Sequence, residues 1–530
     1  MVEFRKAMPN DEEAIHRLNY ETFVEEIPQH QVNLERRLVD RFHNTNTYWI
    51  GEADGKLVAM CSIRDEHPFS LEQKGVTLPP GEWIEVRLLA IIPAYRNTRT
   101  FAGLMRAMLA EAIERNVEGI VISGTIREQK LYRRFGFIPF ADPVGPEEAL
   151  YIPMKLTRAA FMGSETARTL RPKLLLAGPV ELSNAVRAAL ATQPLSHRSA
   201  EAIRVLRSVE TKLSTRINLP HIYTLSGSGT VANDAVAAQL TGRGLIFDTG
   251  EFGRRLIDHA RRARLEFDVL TLETGKRLPV QQIERYKPDW IWTVHCETST
   301  GKLVDVEGLR QYVHRRKTIL AIDAISTVGT FETDYAFANM VTFVSGKALR
   351  NAPGLAFVAM RDRPIPNSSI PRYLDLASYN PIAFTQSVPL IQAMDIALDE
   401  LTEKEVSTHQ SKMDVCLKEL LGRGVAIETG DDQSPGILSI MLPEDRSSIE
   451  LGRQLAYYGY HIQYESMYLQ QLNCVQVSTM GWTTERDMQQ VAAYIGRWLQ
   501  KKTVTQMSDG IRHENLDGPN GESFDRGVLN

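Results

Sequence analysis

Cysteine is scarce and scattered: Cys61, Cys296, Cys416 and Cys474 stand far apart, with no Cys-x-x-Cys pair and no metal-ligand spacing. That pattern excludes a disulfide framework or a structural zinc site and predicts buried free thiols in a reducing compartment. Long apolar runs are missing too. No stretch of about 18 or more apolar residues occurs, so no membrane-spanning helix is expected. The opening Met-Val-Glu-Phe-Arg-Lys lacks an apolar signal core, and a cytoplasmic location is the expectation. Neither charge sign dominates: 61 Lys and Arg stand against 65 Asp and Glu, a formal net charge of −4. Nothing there calls for nucleic acid or an anionic membrane as a partner. What the chain does have is length. Its 530 residues, 43% hydrophobic and 24% charged, exceed one core and predict a soluble enzyme of two to four domains.

The chemistry concentrates in Thr342-Phe-Val-Ser-Gly-Lys347-Ala-Leu-Arg-Asn-Ala-Pro-Gly-Leu-Ala-Phe-Val358, where a lysine breaks two apolar, strand-like runs. Upstream, Thr318-Ile-Leu-Ala-Ile-Asp323 ends a strand on a carboxylate. An amine and a carboxylate at neighbouring strand ends suit pyridoxal 5′-phosphate: the amine forms a Schiff base and the carboxylate keeps the pyridine nitrogen protonated. Around them strand-like and helix-like segments alternate. Seven strands are predicted: His221–Leu225, Gly244–Asp248, Phe267–Leu272, Trp290–His295, Thr318–Asp323, Met340–Val344 and Leu355–Met360. Helical patterns cover Val231–Leu240 and Gly253–Ala263. This is a mostly parallel sheet covered on both faces, with its site at the strand C-terminal ends. Ser226-Gly-Ser-Gly-Thr230, between the first strand and a helix, supplies N–H groups and hydroxyls suited to a phosphate.

Residues 1–156 read as a separate unit. A helix opens at Pro9-Asn-Asp11, with an Asx cap and an acidic first turn. Two strands, Thr47–Glu52 and Lys56–Ile63, flank a hairpin turn at Ala-Asp-Gly55. A long strand, Trp83–Ile91, leads into a helix from Phe101 to Glu114. A strand, Gly119–Ser123, and a helix through Leu131-Tyr-Arg-Arg-Phe-Gly-Phe137 follow. Thr157 to Arg171 is polar and lacks clear periodicity, and is read as a linker; from about Thr503 the chain is polar and is read as a disordered tail.

Two resemblances attach to these motifs. Residues 1–156 resemble the GNAT acyltransferases through Leu-Leu-Ala-Ile-Ile-Pro-Ala-Tyr-Arg96 and Leu131–Phe137. The resemblance implies an acyl-CoA co-substrate, Tyr132 as general acid and Glu85 as base. The plainer readings are a core-capping tyrosine and a solvent-facing strand residue. Arg99 and Phe101 stand where that family has glycines, and bulk there obstructs a phosphate; Arg96 and Arg99 remain to hold an anionic carrier arm. Residues 172–502 resemble the class V aminotransferases of fold type I, in the branch with alanine–glyoxylate, serine–pyruvate and 2-aminoethylphosphonate aminotransferases. The carrying motifs are Ser-Gly-Ser-Gly-Thr230, His295-Cys-Glu-Thr298-Ser-Thr-Gly, Asp323-Ala-Ile-Ser-Thr-Val-Gly and Lys347-Ala-Leu-Arg-Asn-Ala-Pro-Gly.

That second resemblance implies a seven-stranded sheet with a smaller C-terminal α/β subdomain, and roles for single residues. Lys347 carries the cofactor and moves the proton, and Asp323 holds the ring nitrogen. Ser228, Gly229 and Thr230 bind the phosphate, Thr298 the ring hydroxyl, and Phe252 stacks on the ring. Ser387 reaches the phosphate of a neighbouring subunit, which implies a homodimer. His197 and Arg198 lie near the substrate. Two positions depart from the pattern. Gly346 replaces a phosphate-binding Gln, leaving Ser345 as the nearest substitute. Gln476 replaces the Arg that forks the substrate carboxylate, a charge-assisted bond worth about 1.5–3 kcal/mol. Arg350, Arg372 or Arg198 is then expected to substitute. Amino transfer coupled to acylation of an amine is the first expectation. A PLP-dependent lyase, decarboxylase or carbon–carbon bond-forming enzyme with a docking or ligand-sensing GNAT unit is the alternative.

Overall fold

A computed structural model describes residues 1–27, 30–145, 150–272, 278–379, 384–428 and 430–501. The stretch read as a tail from Thr503 lies outside them. Among the described residues no helix is long and apolar enough to cross a membrane, and all four cysteines are buried and free.

The first domain runs β1 (Glu3–Lys6), α1 (Glu12–Tyr20), β2 (Thr47–Ala53), β3 (Lys56–Arg64), β4 (Trp83–Ile91), α2 (Thr98–Glu114), β5 (Gly119–Thr125), α3 (Gln129–Phe135), β6 (Ile138–Pro139) and β7 (Tyr151–Thr157). One sheet orders them β1-β2-β3-β4-β5-β7-β6. The β2–β3 turn has positive φ at both Asp54 and Gly55 (51° and 76°), which matches the twist of the flanking strands. α2 packs Leu104, Ala107 and Met108 on one sheet face, against Trp49, Ile63, Ile84 and Ile120. β4 and β5 run parallel and pair only over Trp83–Glu85 and Gly119–Val121. Beyond Glu85 they diverge, and β4 bulges against β3, with Leu88 at φ 50°.

Two expectations fail here for physical reasons. Asp11 does not cap α1, because Arg5 takes its carboxylate at 2.6 and 2.9 Å and the Met8 N–H at 2.7 Å. The stretch read as a linker folds into α4 (Arg158–Met162) and α5 (Glu165–Leu170), capped by the Thr157 and Ser164 hydroxyls. Helices this short show no period in sequence, yet Leu170 is buried in the first domain's core.

The large domain continues with α6 (Ala200–Ile217), β8 (His221–Gly227), α7 (Gly229–Gln239), β9 (Arg243–Asp248), α8 (Glu251–Arg262), β10 (Glu266–Thr271), β11 (Trp290–Val294), β12 (Ile319–Asp323), β13 (Met340–Val344) and β14 (Gly354–Met360). Its seven-stranded sheet has the order β10-β9-β11-β12-β13-β14-β8. The first five neighbours are parallel, and β14 runs antiparallel to both β13 and β8. Layers on both faces bury it. α9 (Val388–Glu400) and α10 (Glu403–Leu421) lead to a smaller subdomain of β15 (Ile437–Met441), α11 (Ser448–Tyr458), β16 (Cys474–Ser478) and α12 (Glu485–Gln500).

This subdomain docks on the first domain. The Gln454 amide accepts from the Phe4 N–H at 3.1 Å and donates to the Phe4 carbonyl at 2.7 Å, covering the edge strand β1. Arg106 of α2 donates to the Leu170 and Tyr457 carbonyls at 2.7 and 2.9 Å. The Tyr457 ring meets Trp49 edge-on at 5.7 Å.

Candidate active site

The C-terminal ends of β9, β11, β12 and β13 meet the N-termini of α7 and α8, and the chemistry-bearing side chains gather there. Lys347 follows β13. Its Nζ donates to the Ala177 carbonyl at 2.8 Å. Burial of that amine pulls its pKa down to about 8, and the Asp323 carboxylate opposes the shift. Asp323 ends β12, buried. Its oxygens accept from Asn233 at 2.8 Å and from the Ile325 N–H at 3.0 Å. Burial raises its pKa, and these bonds together with Lys347 oppose the rise. Asn233 is itself fixed, accepting from the Thr342 hydroxyl at 2.8 Å.

At the start of α7, Ser228 occupies the cap position without a side-chain bond to the helix, so the first N–H groups are not claimed by a capping side chain. Ser228 and Thr230 are exposed. At Gly229 a Cβ would stand 2.4 Å from Ile325, which explains the glycine. Tyr373 pins the turn, accepting from the Ser226 N–H and donating to its carbonyl, both at 2.9 Å. Phe252 begins α8; Arg255 lies 4.4 Å from its ring centroid and Tyr468 meets it edge-on. The Thr298 hydroxyl bonds Ser326 at 2.6 Å. These features fit pyridoxal phosphate: a helix terminus with no capping side chain for a dianion, a buried carboxylate for a ring cation and a neutralisable amine that interacts with that carboxylate.

Sequence reading passed over the residue that organises this cradle. Glu297, 2% exposed, accepts from the Phe252 and Gly253 N–H groups at 3.1 and 3.2 Å. It also takes the Thr249 hydroxyl at 3.0 Å and the Ser299 N–H at 3.1 Å. It thus caps α8 and sets the Phe252 backbone. Its signal was a carboxylate inside His295-Cys-Glu-Thr298, the one charged residue of that motif. Asn233 was also missed; its signal was an amide in the otherwise small-residue helix Val-Ala-Asn-Asp-Ala-Val-Ala-Ala.

Several expected residues are taken up elsewhere. Ser345 does not face the cofactor side: its hydroxyl donates to the Ala352 carbonyl at 2.7 Å and accepts from the Leu355 N–H at 3.2 Å. Gly346 has no room for a side chain, since a Cβ would lie 2.9 Å from the Pro353 ring. Arg350 is sealed from solvent, and one of its terminal nitrogens has no partner among the described residues. It is 1% exposed and bonds Glu405 at 2.9 Å and the Met480 carbonyl at 3.2 Å. Gln476 is fully buried, and its amide donates to the Thr298 and Ser299 carbonyls and to Ser439 at 2.6, 3.2 and 2.9 Å. Arg198, Arg372 and Ser387 are exposed, and His197 is half-buried.

In the first domain Glu85 is fully buried rather than solvent-facing. It accepts from the Ser70 N–H at 2.8 Å and from the Ser70 hydroxyl. Tyr132 lies half-buried against Gly124 and Phe137. Arg96 and Arg99, expected to hold an anionic arm, both have protein partners here. Arg96 donates to the Ile91 carbonyl at 2.7 Å and grips Glu26 with both terminal nitrogens. Arg99 donates to the Tyr458 hydroxyl at 3.0 Å. The helix terminus between them is closed too: the Asn97 side chain accepts from the Arg99 and Thr100 N–H groups, both at 3.0 Å. Among the described residues no group of three or more His, Cys, Asp or Glu could hold a metal.

Comparison with known proteins agrees with both halves. Residues 12–137 match the acetyltransferase (GNAT) family and residues 165–370 the aminotransferase class-V family. A 2-aminoethylphosphonate–pyruvate transaminase of Pseudomonas aeruginosa is 26% identical over 53% of this chain and 83% of its own length. The alanine–glyoxylate aminotransferase of Mus musculus is 24% identical over 42% of this chain, a match spanning only 53% of the mouse protein. The crystal structure of a subgroup IV aspartate aminotransferase from Thermus thermophilus shares the fold, with a TM-score of 0.56 and 24% identity over 62% of this chain and 99% of that one. The chain therefore joins a GNAT acetyltransferase domain to a class-V aminotransferase domain.

Proposed function

We propose that the large domain of this two-domain chain moves an amino group between a small amino compound and a keto acid, using pyridoxal phosphate. The observation that carries this is the buried Lys347 amine beside the buried Asp323 carboxylate, at neighbouring strand ends. When bound, the cofactor supplies an electron-withdrawing ring that accepts the electrons of the substrate Cα–H bond. Lys347 would tether it and carry the substrate Cα proton, which a pKa near 8 suits close to neutrality. Asp323 would keep the ring nitrogen protonated. Ser228, Gly229 and Thr230 would hold the phosphate at the α7 terminus, Thr298 the ring hydroxyl, and Phe252 one ring face. The exposed Ser387 hydroxyl would reach the phosphate of a second copy, making the working unit a homodimer.

Gln476 is neutral and fully used, and Arg350 is paired, so an α-carboxylate lacks the usual anchor. Arg198, Arg372 and His197 remain as the groups to contact a substrate acid. Amino donors of the alanine and 2-aminoethylphosphonate kind, with glyoxylate or pyruvate as acceptor, are the first to test. The full chain loaded with pyridoxal phosphate should show a visible absorption band that Lys347→Ala abolishes. Donors should bleach the band and keto acids restore it. Conversion of a donor with the band retained and no keto acid required would favour lyase or decarboxylase chemistry, the reading that Gln476 supports. No change with any donor would sink amino transfer.

For the first domain, Arg96, Asn97 and Arg99 occupy the helix terminus that a carrier pyrophosphate needs, which favours ligand binding over acyl transfer. Acylation of the newly made amine, with Glu85 as base and Tyr132 as acid, is the second reading. Calorimetry with acetyl-CoA separates the two: binding and turnover support acyl transfer, and absence of binding supports a ligand-sensing module.

A further inference from the structure

Glu405, His409 and Lys412 lie at i, i+4 and i+7 on α10, so they share one face of that helix. Arg350, in the turn that carries Lys347, meets the same face through Glu405 at 2.9 Å. These side chains form one cluster between α10, the lysine turn and the segment after β16. It stands apart from the cofactor side, because the ionisable groups that act on the Lys347 amine are Asp323, Cys296 and Arg255.

The cluster is buried but incompletely bonded. Arg350 is 1% exposed, Lys412 5% and His409 0%. Arg350 spends Nη1 on Glu405 and Nε on the Met480 carbonyl, while Nη2 is buried with no partner among the described residues. Lys412 makes no hydrogen bond or ion pair with any described residue. Burial pulls its pKa down to about 8; Arg350 and Lys173 lower it further, and Glu405 and Asp487 oppose the shift. Lys173 and Asp487 pair with each other at 2.6 Å. Arg350 and Lys412 are thus left against the single carboxylate of Glu405, with one positive charge in excess at neutral pH.

His409 adds an open acceptor. The Thr479 hydroxyl gives its proton to the Pro435 carbonyl at 2.7 Å, so it accepts from His409 Nδ1 at 3.0 Å. Burial, then Arg350 and Lys412, pull the ring pKa down to about 3, against the Thr479 and Gly329 backbone, so the ring is neutral. Its Nε2 is a buried lone pair with no hydrogen-bond partner among the described residues. Buried polar atoms that lack protein partners call for an ion or an ordered water.

We propose that this cluster binds a small monoanion, of halide or carboxylate size, against Arg350 Nη2 and the Lys412 ammonium. A water beside it donates one proton to His409 Nε2 and the other to the anion, which meets every open group. Entry is from the Trp482 side, where the indole is 41% exposed and 5.4 Å from Arg350. The bound anion fastens the lysine turn to α10. The Arg350 N–H donates to the Lys347 carbonyl at 2.8 Å, and Arg350 holds a φ of 56°, a conformation that a non-glycine residue keeps when its surroundings fix it. The site is independent of which reaction the large domain performs.

The test uses the full chain. Crystals soaked in bromide should show an anomalous scattering peak in contact with Arg350 and Lys412. In solution at about pH 7, the melting temperature should rise saturably with chloride or acetate, at an ionic strength held constant with a bulky sulfonate. The tighter of the two anions tells a halide site from a carboxylate site. Lys412→Met keeps a long stem and leaves no buried charge, so the fold should stand. The half-saturating concentration should rise roughly tenfold or more in that variant, as loss of a charge-assisted bond predicts. The anion binds the ammonium form of Lys412, so the native response should fade as pH rises through about 8. Hydrogen exchange should slow over residues 345–352 when the anion is added. Density that refines as water alone, or a thermal response that Lys412→Met leaves unchanged, overturns the site.

Discussion

Replacing Glu297 by Gln keeps the shape of the side chain and removes its charge. In the structure one carboxylate oxygen faces Thr249, Phe252 and Gly253, and the other faces Ser299. A glutamine can turn its NH2 toward Ser299, whose hydroxyl can reverse and accept. The Ser299 N–H is then a buried donor without an acceptor, which costs about 1–3 kcal/mol. The three remaining bonds fall from charge-assisted to neutral strength, roughly halving them. The anion that faces the α8 dipole is also lost, about 0.3–1 kcal/mol more. The sum is a loss of about 3 kcal/mol, concentrated where the Phe252 backbone is fixed. Denaturant unfolding of the full chain should show that loss. Titration with pyridoxal phosphate should show affinity weakened roughly tenfold or more, because the aromatic face is no longer held. A stability change below about 0.5 kcal/mol, with cofactor affinity intact, would refute the idea that Glu297 anchors the cradle.

Three other outcomes follow from the same geometry. Lys347 has a folded pKa near 8, depressed below its ordinary value; its amine in the cofactor-free protein should react with amine-directed reagents along a curve centred near pH 8, slow below it where the amine is protonated. A midpoint near 10 in a protein that remains folded would contradict its burial. Asn97→Ala removes the α2 cap and should cost about 1 kcal/mol, read as a lower melting temperature. Gln454→Leu leaves the N–H and C=O of Phe4 unpaired at a buried site and should cost about 2–4 kcal/mol, with proteolytic cleavage between the domains as a second readout.

The large sheet was legible because a strand buried on both faces is a nearly continuous apolar run. Trp290–Val294 and Met340–Val344 are buried at every position, and the polar residues that end such runs mark the site. Where the sequence misled, the deciding partner was remote or the element too short to show a pattern. Glu85 is sealed by Ser70 in a loop packed over the sheet. Gly346 is crowded by Pro353. Ser345 and Arg350 belong to the turn that carries Lys347 and are spent on holding it. Arg99 meets Tyr458, a contact between domains that no local pattern encodes. The helices at 158–170 were too short to show a period. Glu297 stood in plain view within a motif, but a carboxylate that binds only backbone and hydroxyl groups looks the same in sequence as one that binds a ligand.

The bond between Gln454 and Phe4 bears on how the two halves can be inherited. A side-chain amide that copies the hydrogen bonding of a neighbouring strand gives the first domain an outer edge it cannot supply itself. Expressed alone, residues 1–156 would offer that ladder to any passing chain, and the remainder would carry an orphaned amide on an apolar helix. Each half is therefore a poor starting material for the other's absence. Through this contact and the Arg106 and Tyr457 contacts the two halves complete each other's surfaces, so a cut between them exposes the β1 edge.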